Sequence, residues 1–278
     1  MLWGKNHAKR ERDWQMAAVV AFVVMMVMNW LAASTTYLGG TDTAAVSDSY
    51  PNLFAPAGYT FAIWGVIYLL LGLFMFRMFD IWKPKKPALS QGEFNTVTRL
   101  FMITSLLNAA WLMAWQYRVL WASVILMAAL LVSLIMINTL TRDKDFTARE
   151  WLFVRVPFSV YFGWITVATI ANISTWLVSL GWDRWGQSEG FWMVLVLLAG
   201  AVVGLATMRR NQDWAYGAVI IWGYTGILVK HLSESGWNGK WPSVLATLYI
   251  LLPVLMASAL SVMQRSSWSW REFAWWRR

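Results

Sequence analysis

Asn108, Trp111 and Trp115 lie three and four residues apart in an otherwise oily run, "LLNAAWLMAWQY" at 106–117. That spacing puts an amide and two indoles on one face of a helix. Tyr161, Trp164, Ala168 and Asn172 repeat the arrangement further along, and Trp64 with Tyr68 does so once more. Such side chains stack on flat apolar molecules and donate hydrogen bonds through indole N–H and amide groups. No nucleophile–base pair, carboxylate dyad or metal cluster accompanies them, so ordinary acid–base catalysis lacks its parts. The chemistry on offer is recognition of a hydrophobic planar compound. Plain packing uses the same residues, since an asparagine bridging two membrane helices contributes about 0.6 kcal/mol on average.

The elements that position these groups follow from composition. The chain has 278 residues, is 59% hydrophobic and only 13% charged, whereas soluble domains carry about 25% charged residues. Apolar runs of roughly 20 residues, the length that spans a bilayer, fall near 15–33, 57–78, 97–117, 119–140, 152–177, 191–208, 214–232 and 243–263. The sequence predicts an all-α, polytopic membrane bundle of about eight transmembrane helices. Lysine and arginine concentrate in alternate loops, which puts both termini in the cytoplasm and the protein in the cell membrane. The net charge of +9 then reflects topology and contact with anionic lipid, not nucleic acid. With no cysteine and two histidines, thiolate sites are excluded and a protein-built metal cage is not expected. His231 reads as a solvated interfacial side chain and Lys230 as one that snorkels to water.

Depth along the spans agrees between helices. Trp64, Trp111 and Asn172 all fall roughly 8–10 Å below the outer ends of their spans at 1.5 Å per residue. Above them lies the longest outer loop, 34–58, a candidate lid. Pro56 suits the first turn of the helix that follows. Asp42 and Asp48 in the lid would repel an anionic ligand. Of the 22 tryptophans, those near span ends form an aromatic belt. The tail "SSWSWREFAWWRR" reads as an interfacial segment on anionic lipid. Gly200 and Gly204 make a small-xxx-small step suited to close helix packing.

"APAGYTFAIWGVIYLLLG" (55–72), "LLNAAWLMAWQY" (106–117) and "YFGWITVATIAN" (161–172) resemble three signature stretches of the TspO/MBR family, the tryptophan-rich sensory or translocator proteins. Trp64 and Tyr68 match the first motif, Leu107, Asn108 and Trp111 the second, and Tyr161, Trp164, Ala168, Thr169 and Asn172 the third. Trp115 stands where the family has phenylalanine, and Ala55-Pro56 where it has Pro-Pro. The resemblance covers about 15–178, implying a five-helix unit over 1–178 and a three-helix extension with a basic tail over 179–278. It implies a binding pocket formed by Trp64, Tyr68, Asn108, Trp111, Trp115, Tyr161, Trp164, Ala168 and Asn172, and a porphyrin or haem-like tetrapyrrole as ligand. It also allows a homodimer. A sensor or binding protein is the leading reading, and a transporter the alternative, although no acid or base stands at mid-span to couple flux. Light-dependent porphyrin breakdown is a further alternative.

Overall fold

The computed structural model describes residues 2–79, 81 and 84–265, with the backbone alone for 2–10. The basic tail, together with Trp82 and Lys83, on which part of the lipid-contact expectation rests, lies outside the described residues. Among the described residues all regular structure is helical. In chain order these are α1 (Leu2–Ser34), α2 (Thr43–Asp48), α3 (Ile63–Met78), α4 (Gln91–Gln116), α5 (Leu120–Thr141), α6 (Ala148–Glu150), α7 (Val156–Ser179), α8 (Glu189–Asn211), α9 (Trp214–Leu232) and α10 (Pro242–Arg265). Among the described residues seven spans are long and apolar enough to cross a membrane by length and composition. The eighth long helix, α9, has 19 residues and falls short in mean hydropathy because glycine, tyrosine, Lys230 and His231 dilute its aliphatic residues. It still packs inside the bundle, against α7, α8 and α10. The molecule is a polytopic helical membrane protein.

Local sequence sets the helix boundaries. Ser90 and Glu93 form a capping box at the start of α4, and Thr147 with Glu150 does the same for α6, so orphan N–H groups are satisfied by side chains. α6 continues through a π turn, Trp151–Arg155, into α7. Pro157 stands just beyond. Having no N–H and a ring that clashes with the carbonyl four residues back, it disfavours regular α geometry in the preceding turn. Pro56 does not begin α3, as its position suggested. A 3₁₀ turn, Gly58–Ala62, intervenes, and the Ala57 N–H donates across to Gly226 O at 3.0 Å.

The helices pack in the order α1, α4, α5, α7, α9, α10, α8, with α3 laid against α7. α7 is the most buried of the seven spans. Glycine permits its close approach to α9: a Cβ on Gly163 would lie 2.9 Å from Tyr216 O and 2.9 Å from Val219 Cβ. On α8, a Cβ on Gly200 would lie 2.6 Å from the Tyr224 hydroxyl, which reaches over that bare position to donate to Leu197 O at 2.7 Å. Gly204 meets Ile220 in the same way. The small-residue step is therefore a seat for α9.

One charged cluster is buried that the sequence did not reveal. Arg155 and Asp213 are 5% and 3% exposed and stand 3.4 Å apart. Arg155 also donates to Asn211 O at 2.8 Å, while Ser159 and Asn138 donate to the same carboxylate oxygen. The other oxygen caps α9 by accepting from Tyr216 N–H at 3.1 Å. The cluster ties α5, α7 and the α8–α9 turn together. Removing one partner of such a pair leaves a charge stranded in a dry site, at a cost of about 3–5 kcal/mol. Asp213→Ala should lower detergent-phase unfolding stability by that amount, and Asp213→Ala with Arg155→Met should recover part of it. An unchanged unfolding midpoint in the single variant would show that the pair carries no weight.

Candidate functional site

Trp64 is the hub of the aromatic cluster. Its ring stacks on Tyr68 at 5.7 Å between centroids and lies 6.0 Å from Trp111. Tyr161 and Trp164 present their edges to it at 6.0 and 6.2 Å. Trp115 stacks on Trp111 at 5.8 Å, and Phe61 meets Trp164 edge-on at 5.9 Å. Helical spacing on α3, α4 and α7 thus does bring the three stripes together. Between them lies a hollow of about 30 Å³, walled by Trp64, Trp111, Trp115, Trp164, Ala168 and Asn172, with Thr43, Ser47 and Pro56 contributed by the lid segment. A water needs about 10–15 Å³ on this measure, so the hollow is almost closed in this conformation.

The remaining predicted residues sit beside the hollow. Asn108 is fully buried but turned to its neighbours: it accepts from Asn29 at 2.8 Å and donates to the Tyr161 hydroxyl at 3.0 Å. It joins α1, α4 and α7 instead of lining the cavity. Tyr68 and Tyr161 pack behind Trp64. Asn29 escaped the sequence reading, being a lone amide with no visible partner.

The lid is clasped, and most of its clasps were not foreseen. α2 lies across the end of α4, and the Trp115 indole donates to Thr43 O at 3.1 Å. The Gln116 amide, fully buried, donates to Thr41 O at 2.8 Å and to Leu38 O at 3.4 Å. Gly39 passes over the Gln116 backbone so closely that a Cβ would overlap its carbonyl oxygen, and its φ of +66° suits glycine. Asp42 is the N-cap of α2, accepting from Ala44 and Ala45 N–H at 2.8 Å. Asp48 is paired with Lys230 at 3.0 Å. His231, 0% exposed, bonds through Nε2 to Leu53 O at 3.0 Å. Three expectations are thereby corrected: His231 is not solvated, Lys230 does not simply snorkel, and the lid acids already have partners that blunt their repulsion of an anion.

The hollow is apolar but lined by residues that carry free donors. The indole N–H groups of Trp111 and Trp164 and the amide nitrogen of Asn172 have no hydrogen-bond partner among the described residues, although these residues are 4%, 2% and 2% exposed. Asn172 uses only its oxygen, accepting from Ser123 at 3.1 Å. A buried donor left unpaired costs about 1–3 kcal/mol. All three residues line one small apolar cavity, which gives an acceptor entering it donors to meet.

A family model described as TSPO-like protein matches residues 15–261, from the first span to the last. The chain belongs to the TSPO-like protein family. No curated protein and no solved structure matches it significantly. The family match includes α8, α9 and α10 as well as the helices that carry the aromatic stripes. In this TSPO-like chain the lid depends on a single amide for two of its carbonyls. Gln116→Leu leaves them unsatisfied, and one net hydrogen bond corresponds to about 1 kcal/mol, or roughly fivefold in an opening equilibrium. Limited proteolysis or hydrogen exchange should therefore accelerate about that much within 35–50, with the rest of the bundle unchanged.

Proposed function

We propose that this protein is a membrane sensor or binding protein that takes a flat, largely apolar molecule with acceptor atoms at its edge, of the tetrapyrrole class, into the hollow between Trp64, Trp111, Trp115 and Trp164. The observation that carries the reading is the set of three unpartnered N–H donors in an indole-walled cavity. Indole faces match a macrocycle's plane, and the donors match carboxylate or ring-nitrogen acceptors. The pairing of Asp48 with Lys230 blunts the electrostatic objection to propionate groups. Pockets for ligands of this size run to about 300–1,000 Å³, so admission requires the lid to lift and the indoles to part.

The division of labour we propose follows the 1–178 and 179–278 parts of the chain. The first carries the hollow and the lid. The second carries the latch, through Lys230, His231 and the Gly226 carbonyl. The proposed setting is the cell membrane with both termini cytoplasmic, the basic tail resting on anionic lipid, and a homodimer as the assembly to be tested.

Protoporphyrin IX added to the protein in lipid nanodiscs should quench tryptophan fluorescence saturably. Trp64→Ala with Trp164→Ala should weaken binding at least about tenfold, one decade per 1.4 kcal/mol. Trp111→Phe with Trp164→Phe keeps the aromatic walls and removes two donors, and should cost about the same. Wild-type affinity in both double variants would move the site elsewhere. Lys230→Met with Asp48→Asn, which undoes the latch without leaving an uncompensated acid and keeps the hollow intact, should raise the association rate more than it changes the equilibrium affinity.

A further inference from the structure

A second hollow, of about 540 Å³, opens where α7 turns into α8, and it shares no lining residue with the tryptophan cavity. Its apolar walls are Leu177 and Val178 from α7 and Met193 and Val196 from α8, and the lid strap at 51–54 closes one side. At the turn, the lining changes to Trp182, Asp183, Arg184, Glu189 and Trp192. Glu189 and Val196 are seven residues apart on α8, so the lining runs about 10 Å from charged end to aliphatic end. A cavity graded in this way complements an amphiphile.

The charges specify the head. Arg184 is paired with Glu189 at 2.7 Å, and Asp183 is the other ionisable side chain of the lining. Two acids against one base leave the site net negative, and the Arg184 Nε, without a partner among the described residues, is a donor for an acceptor on the same head. The rings of Trp182 and Trp192 stand 5.0 Å apart at its edge, and indole faces attract cations. The turn is also held in a costly shape. Arg184 and Trp185 are consecutive non-glycine residues with φ of 60° and 51°, a conformation worth about 1–3 kcal/mol of strain at each position. Two bonds fix it: Trp192 Nε1 donates to Arg184 O at 2.8 Å, and Trp185 N–H donates to Asp183 at 2.9 Å. Strain maintained by specific bonds at the mouth of a cavity is what a preorganised binding wall requires.

We infer that this cavity binds an amphiphile whose head carries an ammonium group and whose apolar tail lies between α7 and α8. The head sits against Asp183, Glu189 and the two indoles, and the tail against Leu177, Val178, Met193 and Val196. The same chemistry is carried by choline or ethanolamine lipids of the bilayer and by free cationic amphiphiles. The site shares no lining residue with the proposed tetrapyrrole pocket, although both are bordered by the 34–58 loop.

The chain has no cysteine, so Val178→Cys places a single thiol in the wall, and Leu232→Cys supplies an exposed control outside it. In uncharged maltoside detergent, decyltrimethylammonium and decylphosphocholine should slow maleimide labelling of Cys at 178 at least about threefold and saturably. Decyl sulfate should not, and labelling at 232 should respond to none of them. Glu189→Gln introduced beside Val178→Cys should weaken the ammonium protection several-fold. In nanodiscs, protection by phosphatidylcholine alone assigns the site to bilayer lipid. Protection that needs added decyltrimethylammonium assigns it to a free amphiphile. Equal protection by all three detergents, or by none, overturns the proposal.

Discussion

A polar group within a membrane bundle has no water to fall back on, and this constraint organises the whole molecule. Backbone groups meet it by forming helices whose exposed first turns are closed by Ser90, Thr147, Ser188 and Asp213. Side chains meet it by reaching across helices. Asn108 joins α1 to α7 through Asn29 and Tyr161, Asp213 gathers donors from α5 and α7, and Gln116 holds the strand of chain before α2. Other buried polar atoms are left without a partner among the described residues, but the N–H donors of Trp111, Trp164 and Asn172 stand out because all three residues line one cavity.

α9 shows how a helix of modest hydropathy belongs in such a bundle. Its glycines and the glycines facing it let tyrosine and valine side chains interlock with α7 and α8 at distances that a Cβ would forbid. Van der Waals contact replaces the hydrophobic drive that lipid cannot supply. The same helix ends in Lys230 and His231, which hold the lid. The helix that packs through glycine therefore also supplies contacts that hold the lid.

The aromatic stripes were legible in the sequence because a period of 3.6 residues repeats locally on each helix. Their convergence could be read from matched depths. The direction of Asn108 could not, because its partners lie 79 and 53 residues away on other helices. The lid was recognisable by its length and its turn-forming composition. Its clasps join residues 72 to 182 positions apart, and no local pattern encodes such pairs. His231 looked solvated because it sits at a span end, whereas the strap at Leu53 covers it. The Arg155–Asp213 pair escaped notice because Asp213 lies in a short loop that folds back under α5 and α7.

The π turn before α7 sets the phase of everything above it. The Val156 N–H reaches back five residues to Trp151 O, so the turn holds one residue more than an α-helical turn would. One residue corresponds to about 100° of rotation about the helix axis. Tyr161, Trp164 and Asn172 thus owe their azimuth to a surplus residue some ten to thirty ångströms beneath them, at about 1.5 Å of rise per position. Excising a single amino acid from 151–155 would leave the composition of the helix almost untouched while swinging its aromatic face away from Trp64.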